Sequence, residues 1–160
     1  ENQVGQAKST TAKSVLKNLN PLIDIIAFEE KLTAENAVQI IQNFDVVVDG
    51  CDNFATRYLV NDTCVALGKS LVYGSILKYE GQLAVFNHKG SKNLRDLFPE
   101  PPNPKDVPNC NLNGVMGTLP GIIGTMMAHE TLKLIMNLPI LKNELVLFNT
   151  LNWSFNKLKF

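Results

Sequence analysis

The chain predicts an α/β fold with a doubly wound, mostly parallel sheet and antiparallel strands at its C-terminal end. Three observations point there. Helical and strand-like segments alternate through the first 67 residues, the pattern of crossover units that make parallel sheets. Residues 45–49, Asp-Val-Val-Val-Asp, form a continuous apolar run of the kind buried on both faces of such a sheet. Composition is that of an ordinary globular domain, with 45% apolar and 19% charged residues over 160 positions.

In order along the chain, residues 6–19 hold good helix formers, and Asn20-Pro21 ends them because proline disfavours helical backbone in the residue before it. Residues 22–28 are rich in β-formers and read as a short strand. Thr33 is a candidate N-cap for a helix through Ile41. After the strand at 45–49, residues 53–67 read as a helix capped by Asn53 and terminated by Gly68. Residues 70–77 and 81–87 then read as a hairpin across Lys78-Tyr79-Glu80. Residues 88–113 form a long polar loop containing Pro99, Pro101, Pro102, Pro104 and Pro108. Residues 120–137 read as an apolar helix, and 144–148 and 155–160 as closing strands. The whole, 1–160, reads as a single domain.

Bulk properties exclude several classes. Formal net charge is zero and no run of lysine or arginine occurs, so neither nucleic acid nor an anionic membrane is an expected partner. The longest apolar stretch, 114–128, is broken by Pro120 and stopped by His129 and Glu130, too short for a membrane span. Cys51, Cys64 and Cys110 form no Cys-x-x-Cys and are odd in number, which fits a reducing, cytoplasmic setting rather than a disulfide framework. Because Glu1 opens on an already polar, helical segment, the chain reads as a fragment or a processed product.

Parallel sheets bind ligand at the carboxyl ends of their strands, which directs attention to Asp49-Gly50-Cys51-Asp52-Asn53. Two carboxylates at a strand–helix turn can hold a hard cation such as Mg²⁺; equally, one of them can serve only to cap the following helix. Lys8 opens the first helix, where a cation opposes the helix dipole, so it either neutralises a bound phosphate or is a plain surface lysine. Cys110 lies in a loop, where a thiol is accessible and can act as a nucleophile if the fold lowers its pKa. Cys64, among apolar helix positions, reads as core, and Cys51 could be either. His88 and His129 read as structural. Gly114, Gly117, Gly121 and Gly124 form a small-residue stripe suited to close helix packing, inside the domain or in a dimer.

Six ordered segments resemble the MoeB/ThiF/HesA family, the bacterial relatives of ubiquitin-activating enzymes: Val4-Gly5-x-x-Lys8, Leu19-Asn20-Pro21, Asp49-Gly-x-Asp52-Asn53-Phe-x-Thr56-Arg57, Gly81-Gln82-Leu-x-Val85-Phe86, Leu97-Phe98-Pro99-Glu100-Pro101 and Gly114-Val115-x-Gly117-x-x-Pro120-Gly121. The similarity runs in register from Val4 to Phe160. It implies a Rossmann-like adenylating domain of which 1–160 is the C-terminal part. The implied reaction is Mg-ATP-dependent adenylation of the C-terminal glycine of a ubiquitin-like sulfur-carrier protein ending in Gly-Gly. The implied setting is molybdopterin or thiamin biosynthesis or tRNA thiolation, in a cytoplasmic homodimer.

By the same resemblance, Lys8 matches a phosphate-contacting lysine, and Asp52 a metal-binding and catalytic aspartate with Asn53 beside it. Cys110 matches a loop cysteine that takes the activated carboxyl in some branches. Many relatives hold a structural zinc on paired cysteines; Asn93 and Asp96 stand where the first pair would be, so zinc is not expected. The family's glycine-rich, ATP-gripping turn precedes the segment at Val4 and is not in the sequence, so the 160 residues alone are expected to be inactive. The competing expectation is a carrier-binding module without ATP chemistry. A nicotinamide-dependent oxidoreductase would need a glycine fingerprint that the chain lacks.

Overall fold

The computed structural model describes residues 4–103 and 114–160. They divide into two compact units, Glu1–Leu32 and Thr33–Phe160. The first contains helix α1, Lys8–Leu19, which stops at Asn20 as the proline predicts. The Lys17 ammonium donates to the carbonyls of Pro21 and Ile23, at 3.0 and 2.8 Å, so the chain folds back over the helix end. Thr10 donates to the Glu29 carboxylate. Residues 22–28 form no strand; Leu22 lies in a turn and Ile23 at a bend. Their β-rich composition favours strand backbone, yet a strand also requires a ladder partner, and this unit contains no strand among its described residues.

The second unit carries a five-stranded sheet in the order β1-β2-β3-β4-β5: Val46–Asp49, Ser70–Leu77, Glu80–Phe86, Glu144–Asn149 and Ser154–Lys159. Only β1 and β2 are parallel, with Asp49 opposite Tyr73; the other three pairings are antiparallel. The mixed sheet and its antiparallel C-terminal strands are as expected, but the parallel share is the β1–β2 pair alone, because residues 22–28 add no strand. With β1 at the sheet edge, Val48 is half exposed rather than buried on both faces.

Helix α2, Ala37–Ile41, begins later than expected. The Thr33 N–H donates to the Asn36 side chain at 2.8 Å, so a turn stabilised by asparagine replaces the expected first helical turn. Helix α3, Phe54–Leu67, is capped by Asn53 and closed by Gly68 at φ 65°, a left-handed conformation that glycine adopts without penalty. Inside the long loop, α4, Leu94–Leu97, forms a short helix that the prolines obscure. Asn93 and Asp96 make its capping box: the Asn93 side chain accepts from the Arg95 N–H, and the Asp96 carboxylate accepts from the Asn93 N–H at 2.7 Å. Just beyond, Tyr58 donates its hydroxyl to the Phe98 and Glu100 carbonyls, and Arg95 holds the Pro99 carbonyl while gripping Asp62 with two nitrogens at 2.8 Å.

Helix α5, Leu119–Ile135, crosses one face of the sheet and buries Leu119, Ile123, Met127 and Leu134 against Val72, Leu83, Val85, Val146 and Phe148. The close approach is made by glycines of the sheet. A methyl added at Gly74 would overlap the Met127 thioether, and one at Gly81 would overlap the end of Ile123. The helix's own glycines, Gly121 and Gly124, face open space among the described residues. Of the two settings expected for the small-residue stripe, packing inside the domain is therefore not met: within this unit the smooth surface belongs to β2 and β3, because a pleated sheet needs bare positions where a bulky helix ridge sits on it. No helix among the described residues is long and apolar enough to cross a membrane.

This packing predicts that Gly81→Ala destabilises the protein by about 1–3 kcal/mol, read from urea unfolding. Gly74→Ala should cost less, since a flexible methionine can swing aside where a branched isoleucine cannot.

Candidate functional site

Strand β1 ends at Asp49 and α3 begins at Phe54, so residues 50–53 turn the chain at the carboxyl end of β1. Three other features gather at this end of the sheet: the β2–β3 tip, the β4–β5 tip and the lead into α5. The Met116 N–H donates to the Lys78 carbonyl, and Thr150 donates its N–H and hydroxyl to the Tyr79 carbonyl, each at 2.9 Å.

Asn53 holds the helix side of the turn. Its backbone is extended and its side-chain oxygen accepts from the Thr56 N–H at 2.8 Å, a cap worth about 1 kcal/mol. Neither aspartate is the cap. Asp49 is buried; one carboxylate oxygen accepts from the Cys51 N–H at 2.9 Å. The other faces Arg57 Nη1 at 3.3 Å, within ion-pair range but without hydrogen-bond alignment.

The aligned donors of Arg57 go to carbonyls instead. Nη1 donates to Gly74 at 3.0 Å and Nη2 to Cys51 at 2.6 Å, and the guanidinium carbon sits 4.5 Å from the centre of the Tyr73 ring. Tyr73 in turn donates its hydroxyl to Gln82 at 3.0 Å. Such a pair loses much of its Coulombic gain to desolvation, but removing one partner leaves an uncompensated buried charge, at a cost of about 3–5 kcal/mol. Of the two readings open for the aspartates, a pair on a cation or a helix cap, Asp49 meets neither. Asp49 is committed to the fold.

Asp52 is exposed, and its carboxylate lies 3.5 Å from the Asn53 amide nitrogen, at the outer limit of a hydrogen bond. These two predicted residues are brought together. Lys8 belongs to the other unit, at the first position of α1, whose N-terminal flank Ala7 makes no side-chain cap. Cys110 lies outside the described residues. Arg57 was missed as a candidate, although the signal was there: an arginine near the start of a helix opposes the dipole just as Lys8 does.

Both described cysteines are poor nucleophiles. Burial, then the neighbouring Asp49 carboxylate, pushes the Cys51 thiol up to about 12. Cys64, fully buried in α3, is pushed up to about 12 by burial. His88 is held low by burial and by Lys89 and Lys142, and its Nδ1 shares a 2.9 Å hydrogen bond with Ser70, a structural tie.

A profile described as the ThiF family matches residues 1–160. The chain belongs to the ThiF family. Among curated relatives, the adenylyltransferase and sulfurtransferase MOCS3 of Anopheles gambiae is 47% identical over 99% of this chain and 36% of its own length. A sulfur carrier protein adenylyltransferase of Thermus thermophilus is 45% identical over 97% of this chain and 59% of its own. A probable molybdopterin-synthase adenylyltransferase of Pyropia yezoensis is 41% identical over 99% and 42%. This ThiF-family chain thus spans between about a third and three-fifths of the length of these relatives. Among solved structures, E. coli MccB with ATP superposes with a TM-score of 0.81 at 12% identity, over 99% of this chain and 50% of that one. At that identity the likeness concerns the fold.

The raised thiols predict that, in a Cys110→Ser background at pH 8, Cys51 and Cys64 react with a disulfide reagent only on unfolding. At a pKa of about 12 the native thiolate fraction of Cys51 is about one in ten thousand. The sign for stability follows: both thiols are held protonated in the fold, so their contribution is complete below pH of about 8.5, the unfolded value. It is lost as pH climbs toward 12.

Proposed function

We propose that this chain is part of an ATP-dependent adenylyltransferase that activates the C-terminal glycine of a ubiquitin-like sulfur-carrier protein for sulfur transfer in cofactor biosynthesis. The observation that carries this reading is the presentation of Asp52. It is an exposed carboxylate at the carboxyl end of β1, on a turn pinned from beneath, in a chain of the ThiF family.

The donor set suits a hard cation. Asp52 offers exposed carboxylate oxygens beside the Asn53 amide. One or two carboxylates with substrate phosphates is the usual provision for Mg²⁺. Asp52 is the residue that would hold the ion; Mg-ATP, when bound, supplies an α-phosphate made electrophilic by charge neutralisation. The chain's own part is placement. Asn53 fixes the start of α3, and the Asp49–Arg57 pair fixes the turn, so the backbone that carries Asp52 is set before substrate arrives.

Lys8, at an uncapped helix start, is the candidate phosphate contact, and Cys110 the candidate acceptor of the activated carboxyl. The family resemblance supports a cytoplasmic homodimer. No Gly-x-Gly-x-x-Gly occurs in the 160 residues, so this stretch alone is not expected to complete the reaction.

In the protein expressed from its complete coding sequence, ATP–pyrophosphate exchange should depend on a carrier ending in Gly-Gly. Asp52→Ala should lower exchange by about 10²–10³-fold with an unchanged melting temperature, because the side chain is exposed. Undiminished exchange would remove Asp52 from the mechanism. Carrier binding with no exchange in the unaltered protein would instead favour a binding module.

A further inference from the structure

We infer that Arg57 is the positioning residue for the Asp52 turn, acting through the Cys51 carbonyl. The inference rests on the adenylation reading for what Asp52 does, but its geometry stands independently. The carbonyl that Nη2 grips at 2.6 Å belongs to the peptide joining Cys51 to Asp52. Fixing that oxygen fixes the plane of the peptide from which Asp52 departs. The preceding peptide, Gly50–Cys51, is held by the Asp49 carboxylate that accepts the Cys51 N–H, and the chain beyond Asp52 is held where the Asn53 side chain caps α3.

Three features separate this from a general structural role. First, Nη1 ties the turn to Gly74, one residue past the last β1–β2 pair, so the turn is referenced to the sheet where β1 has run out. Second, the fork geometry is specific to arginine. A lysine could neutralise Asp49, but one ammonium cannot stack on Tyr73 and hold two carbonyls on separate segments as a planar guanidinium does. Third, Asp52 itself has almost nothing holding it, only the 3.5 Å approach of the Asn53 amide among the described residues. Its position is therefore set by its backbone, and the backbone is set by Arg57.

Residues that orient a metal-binding carboxylate typically change metal affinity by about 10–100-fold when altered. The test uses the protein from its complete coding sequence, with Mn²⁺ and a non-hydrolysable ATP analogue as probes. Mn²⁺ affinity is read by electron paramagnetic resonance, and amide hydrogen exchange over residues 50–53 by mass spectrometry. Arg57→Lys should weaken Mn²⁺ binding by about tenfold and speed amide exchange in the turn, while thermal unfolding stays cooperative. Should Arg57→Lys fail to fold, the double variant Arg57→Met, Asp49→Asn takes its place; it removes both buried charges together, so neither is left unpaired, frees the Cys51 carbonyl, and should move both readouts in the same direction. Native Mn²⁺ affinity and native exchange in a folded Arg57→Lys or double-variant protein would overturn the inference and leave Arg57 as a stabilising residue only. If the unaltered protein binds no Mn²⁺ with the analogue, the adenylation reading fails. Amide exchange then decides Arg57 alone: faster exchange supports its hold on the turn, and unchanged exchange overturns it.

Discussion

Asp49 and Arg57 are each at least nine-tenths buried, and neither charge has water to fall back on. Each needs the other, and together they need the carbonyls, the amide and the aromatic ring around them. That need dictates much of the local sequence. Tyr73 must present a flat face, Gly74 and Cys51 must aim carbonyls inward, and α3 must start where it does to bring Arg57 to the end of β1. The fold places a charge where it is costly to keep, and the return is a turn whose shape has few alternatives. An all-apolar cluster could match its stability, but it would not fix a peptide plane with comparable precision.

The opposite face of the sheet is governed by shape instead of charge. Gly74 serves both faces at once: its carbonyl accepts from Arg57, and its missing side chain makes room for Met127 of α5. The site turn and the helix layer therefore share one residue of β2.

Much of this was legible in the sequence, and the reasons are physical. The cap at Asn53, the stop at Gly68, the hairpin and the closing strands all rest on local chemistry, and each is present. The strand expected at residues 22–28 depended on a partner, which local composition cannot supply. The long loop hid α4 because a four-residue helix has too little periodicity to see, although the Asn93–Asp96 capping box was there to read. The close packing expected inside the domain was placed on the run from Gly114 to Gly124 because glycine spacing is visible along the chain, whereas Gly74 and Gly81 become a surface only when two strands pair. At the site, the turn and its exposed Asp52 were legible from strand order. The commitment of Asp49 to Arg57, eight residues away, was not, since it depends on the depth at which β1 sits.

The β2–β3 tip carries a consequence for how this protein can vary. Its two residues each lend a carbonyl to a different segment: Lys78 to the lead into α5, Tyr79 to the β4–β5 turn. An insertion there would release both at once, at the end of the sheet where the Asp52 turn sits. This short connection therefore acts as a keystone between three stretches of chain, and length changes are better borne by connections that hold nothing but themselves. Anyone grafting a tag, a reporter or a new binding loop onto the protein would do well to leave those two residues as they are.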